Sequence, residues 1–189
     1  AWAGVVRGGP PSLPMPGLAM RLDVSAGSAQ LAGGTLRDVR LGLDILPGRV
    51  VVREVAARLP GDARLTGGGV LTAGPVFVGN ARLETEDLPA VARFAEVGWL
   101  GAGSSWLAEW LPHWAELHGE VRVEGGTLAL DALSGTLDGS GVQGALHLAG
   151  GARPAISGRL SLDRFTLDAL PEGRPADPLL WGMDADLRL

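Results

Sequence analysis

The sequence predicts a mainly β protein: a curled antiparallel sheet of short repeated strands that forms a groove, with a short helical insertion near residues 88–117. Three observations support this fold class. Apolar and polar residues alternate along most of the chain, which is the pattern of half-buried strands. The 30 glycines and 13 prolines among 189 residues supply many turns. One stretch occurs twice, and such a repeat indicates a sheet built from copies of one unit.

The repeat relates residues 48–91 to residues 125–170, with an offset near 77 to 79 positions throughout. The aligned pairs include Val50/Leu128, Val52/Leu130, Val55/Leu133, Leu71/Leu148 and Phe77/Ile156. In both copies the alternation slips by one residue, after Val52 and after Leu130. A slip of one residue within a strand is the signature of a β-bulge, so we expect a bend in the sheet at both places.

The chain divides into five parts around this repeat. Residues 1–17 form a Pro/Gly-rich linker or edge, 18–96 the first β-repeat, 97–117 a Trp-rich helical segment, 118–170 the second β-repeat, and 171–189 a break and the start of a further repeat. Because each repeat is a run of strands joined by glycine turns, we expect both repeats to build the same kind of sheet.

The strands follow from the alternation, taken in chain order. They are predicted at residues 18–26 (with 29–31 continuing after a turn at Gly27 and Ser28), 36–46, 50–59, 63–71, 76–85, 117–123, 128–137, 142–148, 156–162 and 181–189. Clusters such as Pro47-Gly48 separate them as turns. A short final turn is expected around Phe165 to Leu170.

The helical segment carries its own signals. Asp87 can cap a helix whose first turn contains Pro89. Ser104 or Ser105 can cap a second helix, in which Trp106 and Trp110 share a face. These Trp rings could contact a membrane surface or a lipid, or they could plug the open end of the sheet core. The plug is preferred, because apolar stripes at helical spacing are usually core.

Composition excludes several classes of protein. The net charge is −5, and the 16 basic residues, all of them Arg, are scattered among acids, so no nucleic-acid footprint exists. Cys is absent, so no disulfide or thiolate metal site can form. No signal peptide or apolar run long enough to span a bilayer is present. The chain begins at Ala1 and its last alternation stops in mid-pattern, so we expect a piece of a longer protein.

No catalytic or metal-binding signature is present, and we expect a protein that is not an enzyme and needs no cofactor. The histidines His113, His118 and His147 lack the spacing of metal ligands. The glycine-rich residues 98–105 match neither nucleotide-binding pattern and are interpreted as a link between helices. Asp184 and Asp186 could bind a cation, but such pairs are more often the solvated side of a strand.

The alternation also predicts which side chains share a face. Ten apolar residues of the second repeat are expected to form one continuous surface: Val121, Val123, Leu128, Leu130, Val142, Leu146, Leu148, Ile156, Leu160 and Leu162. A strand with one apolar face must bury it against something. If the sheet curls only partly shut, the uncovered part is a concave apolar surface that can hold acyl chains.

The repeated text resembles the AsmA-like family of bacterial envelope proteins. The resemblance is carried by GGTLALDALSGTLDGSGVQGALHL, ISGRLSLDRFTLDAL, WGMDADLRL and LRDVRLGLDILPGRVVVREVAARLPGDARLTGGGVL. It implies a large periplasmic protein anchored in the inner membrane by an N-terminal helix, with a long curled sheet whose apolar side forms a groove. It also implies a role in outer-membrane assembly and lipid transport, and no catalytic residues.

Two functions therefore stay open at the level of sequence. One is a segment that holds or conducts phospholipid, with the ten face residues and Trp106 and Trp110 lining the groove. The other is an assembly scaffold that binds outer-membrane protein strands through sheet edges. The expected partners are phospholipid and outer-membrane assembly proteins.

Overall fold

The computed structural model describes residues 19–31, 34–74, 76–95, 111–150, 155–163 and 184–188. One open sheet contains every strand of these described residues, and its spatial order equals the chain order. The strands are β1 (Met20–Leu31), β2 (Gly34–Leu46), β3 (Arg49–Arg58), β4 (Arg64–Thr72), β5 (Phe77–Thr85), β6 (Ala115–Glu124), β7 (Thr127–Leu137), β8 (Ser140–Ala149), β9 (Ala155–Leu162) and β10 (Asp184–Arg188). The predicted mainly β, antiparallel fold is confirmed.

Two features of the sheet differ from the sequence prediction. The first strand runs unbroken through Gly27 and Ser28, where a turn was expected. Gly27 lies opposite Asp38, whose φ is 51°, and the pairing of β2 with β3 shifts register just after Arg37. The local irregularity is thus a bulge within paired strands. The second difference is β10, which pairs parallel to β9 while all other pairs are antiparallel.

The helix α1 (Leu88–Ala95) follows β5, as predicted from its capping residue. The backbone N–H of Ala90 donates a hydrogen bond to Oδ1 of Asp87 at 3.0 Å, which satisfies one of the free donors of the first turn. The predicted extension of helical structure to residue 117 is wrong, because β6 begins at Ala115. Residues 96–110, including Trp106 and Trp110, lie outside the described residues.

The two predicted bulges are confirmed, one in each copy of the repeat. The pairing of β3 with β4 shifts register between Val52 and Val55, and the pairing of β7 with β8 shifts between Leu130 and Leu133. Each bulge lets the apolar side chains before and after it stay on one face of the sheet. Ala132 sits inside the second bulge with a φ of 48°.

The buried core lies at the end of the sheet that carries α1. The buried apolar residues at this end include Ala57, Leu59, Ala63, Ala115, Leu133 and Val142. The helix packs closely on the strand ends: a side chain at Gly34 would meet the ring of Phe94 at 2.5 Å, and one at Gly61 would meet Cβ of Ala90 at 2.9 Å. The backbone N–H of Leu88 also donates to the carbonyl of His113 at 2.8 Å. The helix therefore covers one end of the apolar face.

Candidate functional site

The candidate site is the apolar face of the sheet, which the strand registers organise into rows. Residues paired across neighbouring antiparallel strands point to the same side of the sheet. One row runs Ile45, Val50, Leu71, Phe77, Val123, Leu128, Leu148 and Ile156. The next row runs Leu43, Val52, Gly69, Gly79, Val121, Leu130, Leu146 and Gly158. Apolar side chains thus continue from strand to strand across β2 to β9.

The registers place the ten predicted face residues on this one side. Val121, Val123, Leu128, Leu130, Leu146, Leu148 and Ile156 belong to the two rows already described. Leu162 lies opposite Val142, and Leu160 lies opposite Gly144. The Leu160–Gly144 pair is located between the Leu162–Val142 pair and the two rows. The alternation therefore predicted their common face correctly, while their contact with lipid stays a prediction. Trp106 and Trp110 lie outside the described residues.

Sequence reasoning missed that the first repeat extends the same face. Ile45, Val50, Leu71 and Phe77 continue the row of Leu128 into β2 to β5. The signal was present, because the repeat aligns Val50 with Leu128 and Phe77 with Ile156. Both copies pair in one sheet, so a face defined in one copy is shared by the other.

The apolar face is only partly covered. Leu146, Leu148 and Leu160 are half-buried, as are Val50 and Leu71 in the first repeat. Near the helix, by contrast, Val142 is only 1% exposed. Most of the face away from α1 is therefore partly open, although Ile156 in the outer row is buried at 9% exposure.

Glycines line the middle of this face and bring neighbouring backbones together. A side chain at Gly69 would come within 2.5 Å of the carbonyl oxygen of Val78, and one at Gly158 would come within 2.5 Å of that of Ala145. Side chains at Gly79, Gly135 and Gly144 would likewise collide with carbonyl oxygens of the adjacent strands. Adjacent strands therefore approach each other closely at these glycines, where a larger residue would force them apart.

The opposite face is polar and carries ion pairs between strands. Nε of Arg21 contacts Oδ1 of Asp44 at 2.8 Å, and Nε of Arg53 contacts the same oxygen at 3.1 Å. Arg53 also pairs with Asp23 of β1. The hydrogen bond from Arg21 is the main cause that lowers the pKa of Asp44, and Arg53 adds to it. The opposite face thus carries the ion pairs between strands, together with a row of valines formed by Val51, Val70 and Val78.

A polar cavity lies at the rim of the sheet beside β6. It has a volume of about 840 Å³, and its lining includes Arg58, Arg64, Glu84, Glu86, Glu116 and the exposed ring of Trp114. Charges of both signs face this space, so it does not suit an acyl chain. The apolar face remains the better candidate site.

The three histidines, His113, His118 and His147, are exposed. Nε2 of His118 lies 2.8 Å from the hydroxyl of Ser134, and His147 lies 3.7 Å from Asp131. Within the described residues, no group of three or more His, Asp or Glu side chains is arranged to hold a metal ion.

Comparisons with known proteins found no matching family model, no similar curated protein and no similar solved structure. Across the part of the chain that the structure describes, no helix has the length and apolar character needed to cross a membrane. The functional argument therefore rests on the geometry of the sheet and on the sequence pattern.

Proposed function

We propose that this chain is a non-enzymatic segment of a periplasmic AsmA-like protein, and that its apolar face holds or conducts phospholipid for outer-membrane assembly. The observation that carries the proposal is the run of apolar rows across β2 to β9, most of whose side chains away from α1 are half-buried, with Ile156 buried at 9% exposure. Removing an acyl chain from water onto such a surface contributes about 0.8 kcal/mol for each buried CH₂ group.

The shape of the sheet supports an elongated ligand. The rows run across the strands, so their apolar surface lengthens with each added strand. Gly69, Gly79 and Gly158 have no side chains, so the apolar surface is depressed at these positions relative to neighbours in the same row such as Leu130 and Leu146. A low apolar floor flanked by leucines and valines fits acyl chains laid along the rows, with the charged headgroup left in water.

The test is the lipid content of the purified chain and its uptake of a fluorescent phosphatidylethanolamine. The substitution Leu146→Asp puts a charge on the apolar face. Burying a carboxylate without a partner costs roughly several kcal/mol, so an acyl chain should no longer cover this position. We expect the variant to carry about tenfold less phospholipid than the wild type, or less still, as measured by mass spectrometry of an organic extract. Circular dichroism must show that the variant keeps its β structure.

The matched control is Gln143→Asp on the same strand. Gln143 is exposed and lies on the opposite face, paired with Ser134 and Ser161. This variant adds the same charge to β8 but not to the apolar face, so its lipid content should equal that of the wild type. Equal losses in both variants, or a wild-type chain that never takes up phospholipid, would refute the proposal.

An assembly scaffold is the second candidate. Its support is the edge strand β1, on which Met20, Leu22 and Val24 are 39% to 49% exposed. An extended segment of an outer-membrane protein would pair with this edge by backbone hydrogen bonds. A synthetic strand peptide that protects β1 amides from hydrogen exchange, in a chain free of lipid, would favour this candidate.

A further inference from the structure

The edge strand β1 has unusual side chains for the border of a sheet. Among the described residues it pairs only with β2. Met20, Leu22 and Val24 extend the apolar rows to the border, and they are 49%, 39% and 42% exposed. Edge strands normally avoid exposed apolar side chains, because their free backbone groups pair readily with another strand.

The charged side chains of β1 do not prevent another strand from pairing with this edge. Arg21 and Asp23 lie on the polar face, and 68% of each side chain is exposed. Both have partners on the inner side, Asp44 for Arg21 and Arg53 for Asp23. The first part of the strand therefore carries neutralised charges of opposite sign, two residues apart, together with three exposed apolar side chains, and Leu31 at the other end of β1 is 39% exposed as well.

We propose that the first residues of β1, Met20–Val24, form the interface of a twofold-symmetric dimer, in which two copies pair antiparallel about Leu22. In this register Leu22 faces Leu22 of the second copy, and Met20 faces Val24. Arg21 of each copy then faces Asp23 of the other. Apolar side chains meet apolar ones on one face, and opposite charges meet on the other face.

The other symmetric registers lack this complementarity. Centring the pair on Arg21 places two guanidinium groups directly opposite each other, and centring it on Asp23 opposes two carboxylates. Like charges directly opposite each other destabilise a strand pair. If the twofold axis passes between two residues, apolar residues pair with charged ones, as Leu22 would with Arg21. Neighbouring residues of a strand point to opposite faces, so such a register mismatches the two faces. Only the register centred on Leu22 pairs Arg21 with Asp23.

The dimer would join the two sheets into one. A twofold axis between antiparallel strands stands perpendicular to the sheet, so the apolar faces of both copies lie on the same side. The ion pairs also continue across the interface. A guanidinium has five N–H donors, so Arg21 can hold Asp44 of its own chain and Asp23 of the second copy together.

The first test uses charge variants that complement each other. Asp23→Arg gives two facing arginine pairs, and Arg21→Asp gives two facing aspartate pairs. We expect each variant alone to dimerise about tenfold or more weakly than the wild type in sedimentation velocity. An equimolar mixture restores the attraction, because every arginine of one variant then faces an aspartate of the other.

The mixture isolates the contact between copies. Asp23→Arg loses the internal ion pair with Arg53, and Arg21→Asp loses the one with Asp44. These losses are the same whether a variant is studied alone or in the mixture. Recovery of dimer to within about threefold of the wild-type constant therefore reports on Arg21 and Asp23 across the interface. A mixture that stays as monomeric as its components would overturn the proposal.

The second test uses the absence of cysteine from the chain. Leu22→Cys places a thiol at the twofold axis, where facing Cα atoms are about 4.5 to 5.5 Å apart, within reach of a disulfide. Ala26→Cys is the matched control, since its position does not face itself in this register. Oxidation should crosslink the Leu22 variant alone. Crosslinking of both, of neither, or a ladder of larger oligomers would refute the twofold pairing.

Discussion

The side chain of Arg21 in β1 donates a hydrogen bond from Nε to Oδ1 of Asp44 in β2, at 2.8 Å. Arg53 of β3 reaches the same carboxylate at 3.1 Å. The pKa of Asp44 is lowered, chiefly by the hydrogen bond from Arg21, and the same contact raises the pKa of Arg21. One carboxylate thus connects three consecutive strands at the border of the sheet.

The ion pairs of Asp44 predict a loss of stability in acid. The pKa of this group is lower in the folded chain than its unfolded value of 3.8. Its contribution is therefore present above that value, and it disappears as the pH falls through the folded pKa. Urea unfolding at decreasing pH should show a shallower acid loss in Asp44→Asn than in the wild type. Glu54→Gln, an exposed carboxylate of β3, is the control. An unchanged pH dependence in Asp44→Asn would contradict this assignment.

A methyl group at Gly69 should destabilise the sheet. The added carbon would lie 2.5 Å from the carbonyl oxygen of Val78 and 2.6 Å from the ring of Phe77. Overpacking of this kind lowers the free energy of unfolding by about 1–3 kcal/mol. Gly74→Ala is the control, because nothing lies within 4 Å of the added carbon. Urea unfolding gives the free energy of unfolding of Gly69→Ala and Gly74→Ala. Equal values would show that β4 and β5 can move apart to admit the methyl group without a loss of stability.

Removal of the helix cap should loosen α1 at the covered end of the face. Asp87→Ala loses the hydrogen bond that its Oδ1 accepts from the N–H of Ala90. Loss of such a cap costs about 1 kcal/mol. Hydrogen exchange at the first turn of α1 should accelerate about fivefold in this variant. Glu86→Ala alters the neighbouring exposed carboxylate and should leave that exchange unchanged. Similar acceleration in both variants would assign the effect to charge near the helix and not to the cap.

The closed part of the apolar face should be sensitive to truncation. Leu133 is 7% exposed and lies across from Gly144. Leu133→Ala removes buried methyl groups and leaves a cavity, so we expect a loss of about 2–5 kcal/mol in the free energy of unfolding. Val78→Ala, at a position 46% exposed on the polar face, should change stability by about 0.5 kcal/mol or less. Thermal unfolding followed by circular dichroism distinguishes the two, and a mild effect at Leu133 would mean that the face is open there as well.

Local patterns in the sequence were sufficient for much of this fold. Alternation predicted the strands, the slip after Val52 predicted a bulge, and Asp87 predicted the start of a helix. The expected turn at Gly27 was wrong, because the irregularity depends on Asp38 in the neighbouring strand and not on the local residues. The parallel direction of β10 was also missed, since parallel and antiparallel strands share the same period of two.

The apolar face was predicted only in part for a similar reason. Each strand reveals which of its residues share a side, but cross-strand pairing decides which strands contribute to one surface. The alignment of Phe77 with Ile156 pointed to a face shared by both repeats, and the registers place the two residues in one row. Exposure is a property of the assembled sheet, so no pattern in β8 distinguishes the buried Val142 from the half-buried Leu146.

The consecutive strand order has a consequence for how the chain folds. From β1 to β9, every strand pairs with its neighbour in the chain, so the hairpins on either side of the longer β5–β6 connection can form before the following residues are in place. Mostly local pairing favours rapid folding for an all-β chain. Stability then approaches a sum over neighbouring strand interfaces, as in solenoid proteins. Unfolding should therefore begin at the outer strands and advance inward hairpin by hairpin, with β6 and β7 among the last to separate.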